Sequence, residues 1–275
     1  MKKLLLLVFC QLLIMNYSCS KKETNGLILI EGGLFTNTKS NYYNKKITVP
    51  SFYMGTKEVT QKEWEQIMNY NPSFFKGSSL PVETVNWYEC IEYCNKRSIK
   101  EKLDPYYIID KEHKDVKNDD QDDFLKWTIS INEEANGYRL PTITEWEFAA
   151  SGGTISKNYL YSGSNNPETV AWYWCNSGDK NLKNHNWNWN TIENNNCTTK
   201  PTGQKPANEL GLHDMSGNVR EWCWEWESDY QETKGRAWKG GCWFGGEFTC
   251  ATSYLQYYNA SAKCMDQGFR VCRNY

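Results

Sequence analysis

Residues 211–250 constrain this chain more than any other stretch: they open on GLHDMSGNVREWCWEW and close on RAWKGGCWFGGEFTC. Tryptophan and phenylalanine recur here between glycines, asparagine and aspartate, a pattern rare in a generic core. Thirteen tryptophans and an aromatic content of 15% are also unusual for a solenoid or a helical bundle. They suit a compact, loop-rich domain in which large rings hold the loops down.

The rest of the chain agrees. Residues 27–35 (LILIEGGLF) read as a strand broken by a glycine pair, and 46–54 as a second strand. Residues 61–69 form a helix with Thr60 as N-cap and Glu63 at N3, the capping-box arrangement. A second, amphipathic helix covers 87–100, where Trp87, Ile91 and Cys94 recur at helical spacing. The segment RLPTITEWEFAASGG predicts a third short helix that ends at Gly152 and Gly153. Residues 110–123 (DKEHKDVKNDDQDD) are charged and lack an apolar period, so they read as a loop or surface insertion. Residues 176–196, rich in asparagine and tryptophan, read as another surface loop. From Trp238 onward short strands alternate with glycine turns. The expected class is α+β, one domain over residues 27–275, with few helices and short antiparallel strands.

Four segments, in order, resemble the formylglycine-generating enzyme family, also called the sulfatase-modifying factor domain. They are KEVTQKEWEQIM (57–68), LPVETVNWYECIEYCN (80–95), GYRLPTITEWEFAASGG (137–153) and the 211–250 stretch, and GFRV (268–271) closes the set. The resemblance implies a loop-rich variant of the C-type lectin fold. It also implies a chemistry: family enzymes oxidise a substrate cysteine to formylglycine with two cysteines that bind copper(I), a soft ion that selects thiolates. When Gly240 and Gly241 are aligned on the family's glycine turn, Cys250 takes the second cysteine position and Gly245 the first. A glycine cannot ligate metal. The expectation is therefore a domain without that catalysis, and the alternative is a copper-dependent oxidase rewired onto Cys242 and Cys250. A Cys242–Cys250 disulfide or isolated core thiols are equally open readings of that pair.

The resemblance also implies a structural calcium ion on a loop of the form N/D-x-x-G-N-x-x-E. DMSGNVRE supplies Asp214 and Glu221 as carboxylate ligands and Gly217 and Val219 as carbonyl donors, the hard oxygen set that Ca²⁺ takes. The competing reading has Asp214 capping a turn and Glu221 pairing with an arginine. Other chemistry is poorly represented. His113, His185 and His213 lie far apart with no metal-ligand spacing, and no phosphate loop or GxSxG elbow occurs. Glu145 and Glu147, at i and i+2, read as solvated or structural acids.

Seven of the twenty-one residues from 238 to 258 are aromatic, set among Gly, Ser, Thr and Gln. Such rigid amphipathic rings suit contact surfaces, because they supply area at low entropic cost. The expected ligand-binding set is Trp243, Phe244, Gly245, Glu247, Phe248, Tyr254, Gln256, Tyr258 and Asn259. The pattern GG-x-W…GFR also resembles the variable region of lectin-fold proteins diversified by retroelements, treponemal variable lipoproteins among them.

The first residues give an address. Lys2 and Lys3 precede an apolar run from Leu4 to Met15, too short to span a bilayer but suited to a signal peptide over residues 1–18. Ser18-Cys19 resembles a lipoprotein cleavage site, making Cys19 the lipidated first residue of a tether over 19–26. An exported, membrane-anchored lipoprotein at the outer membrane or cell surface is expected, monomeric, with an unknown protein or other surface ligand as partner. The mature chain would carry 29 basic and 33 acidic residues, no footprint for nucleic acid. Nine cysteines follow Cys19, and export predicts disulfides, though an odd number leaves at least one thiol over. Cys90 and Cys94, at i and i+4, read as buried helix-face thiols.

Overall fold

The computed structural model describes residues 26–36, 45–226 and 235–275. The expected signal peptide and Cys19 lie outside the described residues, and among those described no helix is long and apolar enough to cross a membrane.

Strand β1 (Leu27–Ile30) and strand β2 (Gly33–Thr36) are separated by Glu31-Gly32, as the glycine pair suggested. The second expected strand is in fact two, β3 (Lys46–Val49) and β4 (Phe52–Gly55), because Pro50 interrupts the ladder. Helix α1 (Gln61–Met68) carries the Thr60–Glu63 capping box and ends on Asn69 in the left-handed conformation. Helix α2 (Trp87–Lys100) repeats the device with Asn86 and Glu89. Its inward stripe includes Trp87, Ile91, Cys90 and Cys94, all fully buried.

The charged segment 110–123 is a loop only in part. Strand β5 (Tyr107–Lys114) runs through its first half and pairs with β6 (Trp127–Ile131) as a hairpin, with an irregularity between Asp110 and Lys114. Its polar side chains face solvent, so apolar periodicity could not reveal it. A short β7 (Tyr138–Arg139) leads into α3 (Ile143–Ala150), capped by Thr142 and Glu145. Two short helices follow, α4 (Pro167–Val170) and α5 (Trp189–Asn194); the second lies inside the stretch read as loop.

The C-terminal third supplies β8 (Arg220–Trp226), β9 (Arg236–Lys239), β10 (Gln256–Tyr258), β11 (Gln267–Gly268) and β12 (Cys272–Asn274). Two four-stranded sheets result, ordered β1-β4-β12-β7 and β10-β9-β8-β11. All pairings are antiparallel except β11 with β8. One core packs Trp64, Trp87, Tyr93, Trp222 and Phe269 between the α1/α2 pair and the second sheet. Another packs α3 (Trp146, Phe148) against Phe52, Met54 and Leu212. A third lies under the loops and gathers Tyr173, Trp174, Trp243 and Cys250. The rings thus hold loops down, as the composition implied. Glu145 and Glu147 are buried structural acids: Glu145 receives both Arg139 amino groups at 2.6 and 2.7 Å, and Glu147 meets Lys239 Nζ at 2.5 Å.

Candidate functional site

The DMSGNVRE loop is held by backbone geometry that few residues allow. Gly217 has φ +81°, and a Cβ there would fall 2.2 Å from the Trp172 carbonyl oxygen, so only glycine fits. Asp214 and Asn218 also have positive φ. This turn delivers Glu221 to the start of β8, where its carboxylate is gripped by Arg270 of the GFR segment. Nε and Nη2 of Arg270 each lie 2.6 Å from a Glu221 oxygen, and Trp146 Nε1 donates to Oε2 at 2.6 Å. The remaining Arg270 donors reach the carbonyls of Gly55 and His213 at 3.0 and 2.9 Å.

Two more carboxylates sit near this pair. Glu58 accepts from Asn218 Nδ2 at 2.7 Å and Val219 N at 3.1 Å, and Asp214 Oδ2 accepts from Gly203 N at 2.6 Å. Burial, reinforced by Asp214 and Glu221, pushes the Glu58 carboxyl well up from its ordinary value. Asp214 is also raised, chiefly by burial and against the Gly203 hydrogen bond. Its Oδ1 is buried and has no partner. Three carboxyl groups therefore surround one guanidinium, an excess that bound protons or a cation would offset. The donor geometry is mixed: Asp214 Oδ1 is open, whereas both Glu221 oxygens are engaged by Arg270. Among the described residues no group of three His, Cys, Asp or Glu side chains is arranged around a metal position.

Cys242 and Cys250 are both completely buried, and all nine described cysteines are free thiols. Burial pushes both thiols up, and the Cys242 sulfur adds to the effect on Cys250, away from the thiolate form that copper(I) takes. Gly245 brings no third sulfur and has little room for one, since a Cβ would fall 2.7 Å from Thr249 Oγ1 and 3.3 Å from the Cys242 carbonyl oxygen. These residues do not fit the family's copper pair.

The expected binding set divides by exposure. Glu247, Phe248, Gln256 and Tyr258 are exposed; Phe244, Tyr254 and Asn259 are half-buried; Trp243 and Gly245 are buried. Strand alternation explains part of this, as β10 turns Gln256 and Tyr258 outward and Tyr257 inward. Trp243 is core: its Nε1 donates to the Met265 carbonyl at 3.1 Å and its ring packs on Phe75 and Phe244. Asn259 Oδ1 caps the following turn through Ser261 N at 2.8 Å. The exposed rings have neighbours that the sequence reading left in a loop. Trp187 and Trp189, 53% and 38% exposed, stand beside Phe244; Trp187 Nε1 donates to its carbonyl at 2.8 Å, and Trp189 packs edge-on to its ring. The NHNWNWN run was the available signal. On this side Trp187, Glu247 and Phe248 line a cavity of about 550 Å³ together with Trp174 and Glu168. A second cavity of about 640 Å³ takes in Arg220, Trp238, Phe244 and Tyr258.

Against known families, residues 15–275 match the sulfatase-modifying factor enzyme 1-like domain. The chain belongs to that family. It is 56% identical over 254 residues to a protein of Paenibacillus barcinonensis named chaperone protein LppX, covering 91% of this chain and 90% of that one. It is 31% identical over 138 residues to the formylglycine-generating enzyme of Thermomonospora curvata, covering 46% of this chain and 44% of the enzyme, so it spans less than half of that relative. Among solved structures, Treponema denticola variable protein 1 superposes with a TM-score of 0.71 at 29% identity, over 91% of this chain and 94% of that one. The α+β architecture is the formylglycine-generating variant of the C-type lectin fold, and the family shares it with a treponemal variable protein.

Proposed function

We propose that this protein is a membrane-anchored surface lipoprotein whose domain binds a polypeptide partner without catalysis, through the aromatic face built from Phe244, Phe248, Tyr258, Trp187 and Trp189. One observation carries the non-catalytic part: Gly245 stands where the family's first copper-binding cysteine would be, and the packing around it leaves little space for a side chain. A polypeptide partner is favoured because the relative that is 56% identical over nine-tenths of both chains is named a chaperone. Exposed rings beside acidic Glu247 offer the apolar contact area that an extended chain needs. In this reading Cys19 carries the lipid, and a Ca²⁺ ion at the loop of Asp214, Gly217, Val219 and Glu221 would use the open Asp214 Oδ1 and would need Glu221 to leave Arg270. The likeness to a variable protein supports a diversified face, which predicts a near-copy of the sequence encoding 236–270 close to the gene.

The test is capture of a reduced, carboxymethylated globular protein, a standing model of an unfolded client, by the full-length protein. Binding should be measurable by fluorescence anisotropy. It should weaken at least tenfold in Phe248→Ala/Trp187→Ala, whose exposed side chains leave the fold intact. No binding by the unaltered protein, or full binding by the double variant, would refute the reading. Radiolabelled palmitate incorporation that survives Cys19→Ala would remove the anchor.

A further inference from the structure

The cavity of about 550 Å³ beside Trp187 joins exposed rings to negative charge. Four segments build its walls. Helix α4 supplies Glu168, the loop after it supplies Tyr173 and Trp174, and the asparagine-rich run supplies Trp187. Glu247 and Phe248 come from a short helical turn (Glu247–Cys250). The Trp174 amide donates to the Gly245 carbonyl at 3.3 Å and so ties the second segment to the last.

Tyr173 and Trp174 are buried, whereas Trp187 and Phe248 are each more than half exposed. Neither exposed ring hangs free. Trp187 is held by the hydrogen bond from its Nε1 to the Phe244 carbonyl, and Phe248 packs edge-on against Tyr254 at 5.6 Å. Rings fixed in this way present apolar area before a guest arrives, so binding costs little further ordering.

The charge at this cavity is mainly of one sign. Burial pushes up the Tyr173 phenol and the Cys175 thiol, and Glu168 and Glu247 both add to the effect on each, so the two carboxylates bear on the same stretch of lining. Lys183 is the cation of the lining, exposed and 3.5 Å from Glu168 Oε1, a loose surface pair. Lys205 bonds the Glu168 main-chain carbonyl at 2.5 Å and lies over Trp172. Neither lysine pairs with Glu247, which is exposed. Glu168 Oε1 is closed off from solvent, so Glu168 acts through its charge and Glu247 is the acid that a guest can touch.

This combination selects for a particular cation. The faces of aromatic rings attract positive charge, tryptophan most strongly. A primary ammonium is tightly hydrated and gives up that water on entry. A methylated ammonium carries the same charge behind methyl groups that cover ring surface favourably. An anion is repelled by both acids, and a neutral apolar guest leaves the charge unused.

We infer that this cavity binds a trimethylammonium group, with Trp187 and Phe248 against its methyls and Glu247 and Glu168 offsetting its charge. The site goes beyond the capture of a polypeptide and does not depend on it, although Trp187 and Phe248 serve both. The same group is carried by free choline-type solutes and by lipid head groups.

Choline is titrated calorimetrically into the full-length protein beside neohexanol, its uncharged carbon isostere, ethanolamine, its unmethylated counterpart, and a methyl glycoside. Choline is expected to bind roughly tenfold more tightly than neohexanol or ethanolamine. Glu247→Gln and Phe248→Ala should each weaken choline severalfold without moving the melting temperature, since both side chains are exposed. No binding of choline at millimolar concentration, equal binding of neohexanol, tighter binding of ethanolamine or the glycoside, or full affinity in both variants would each overturn the inference. Glycerophosphocholine assigns the source: binding at least as tight as choline supports a lipid head group, and weaker binding supports a free solute. Glu168→Gln/Glu247→Gln should lose choline yet still capture the unfolded client. Capture without choline binding sinks the trimethylammonium site alone, whereas choline binding without capture sinks only the polypeptide reading.

Discussion

Arg270→Met should be among the most damaging single changes available, and its damage should depend on pH. The guanidinium is wholly buried, makes two 2.6 Å contacts to Glu221 and satisfies the carbonyls of Gly55 and His213. Methionine conserves much of the volume but leaves Glu221, Glu58 and Asp214 without the cation that faces them. Stranding a buried charge in this way costs about 3–5 kcal/mol. An independent route gives the same size. The variant can escape by binding one proton, which from an ordinary glutamate value of about 4.3 costs about 1.4 kcal/mol per pH unit, hence about 4 kcal/mol at pH 7 and about 1 kcal/mol at pH 5. In a domain of this length about 4 kcal/mol corresponds to a melting temperature roughly 8–16 °C lower. Thermal unfolding of the parent, Arg270→Met and Arg270→Met/Glu221→Gln at pH 5 and 7 reads all of this. The single variant should recover most of its loss at pH 5, and the double variant should regain a large part at pH 7. A loss below about 1 kcal/mol, a loss independent of pH, or no rescue by Glu221→Gln would refute the charge argument and assign Arg270 to packing alone.

Four further outcomes follow from the same geometry. Chelation should lower the melting temperature of the parent, by mass action on a native-state ligand, and leave Asp214→Asn unmoved; an unchanged parent with no metal by elemental analysis removes the calcium proposal. Burial pushes Glu225 up to about 7, against the hydrogen bonds it accepts from Ile143 N at 2.9 and 2.8 Å. A raised carboxylate contributes stability that is present below its unfolded value and lost as pH rises through about 7, so Glu225→Gln should flatten the stability profile between about 4.5 and 7. Lys239→Met removes the cation that faces Glu147 in a site where both side chains are at most 1% exposed, and denaturant titration should show a loss of about 3–5 kcal/mol. Gly245→Cys should cost about 1–3 kcal/mol through overpacking against Thr249 and Cys242, and should confer no cysteine-oxidising activity on a peptide substrate with copper present.

What could be read in the sequence was what local chemistry dictates. The Thr60–Glu63 box marked α1, and Trp87, Ile91 and Cys94 marked α2, because capping and helical periodicity act within a few residues. Motif order carried the fold, and DMSGNVRE was read first as a calcium loop; the competing reading, Glu221 paired with an arginine, is the contact the structure shows, with Arg270 of GFR. Glu58 was missed, because nothing in KEVTQKEW reveals that its acid reaches Val219 and Asn218, some 160 residues away. Trp187 and Trp189 were passed over for a related reason: an asparagine-rich run reads as loop, whereas their position beside Phe244 is a tertiary fact. The expected binding set was drawn from one segment, and so it took in Trp243, which the structure buries in the core.

The order of the first sheet bears on when this protein can fold. Strand β12 sits between β4 and β7, so the last strand described fills the middle of the sheet, and edge strand β1 pairs with β4, whose other neighbour lies some 220 residues further along. A chain synthesised no further than β7 has β4 and β7 but lacks the strand that joins them. This sheet therefore closes only once residue 274 is available, in whichever compartment the chain folds.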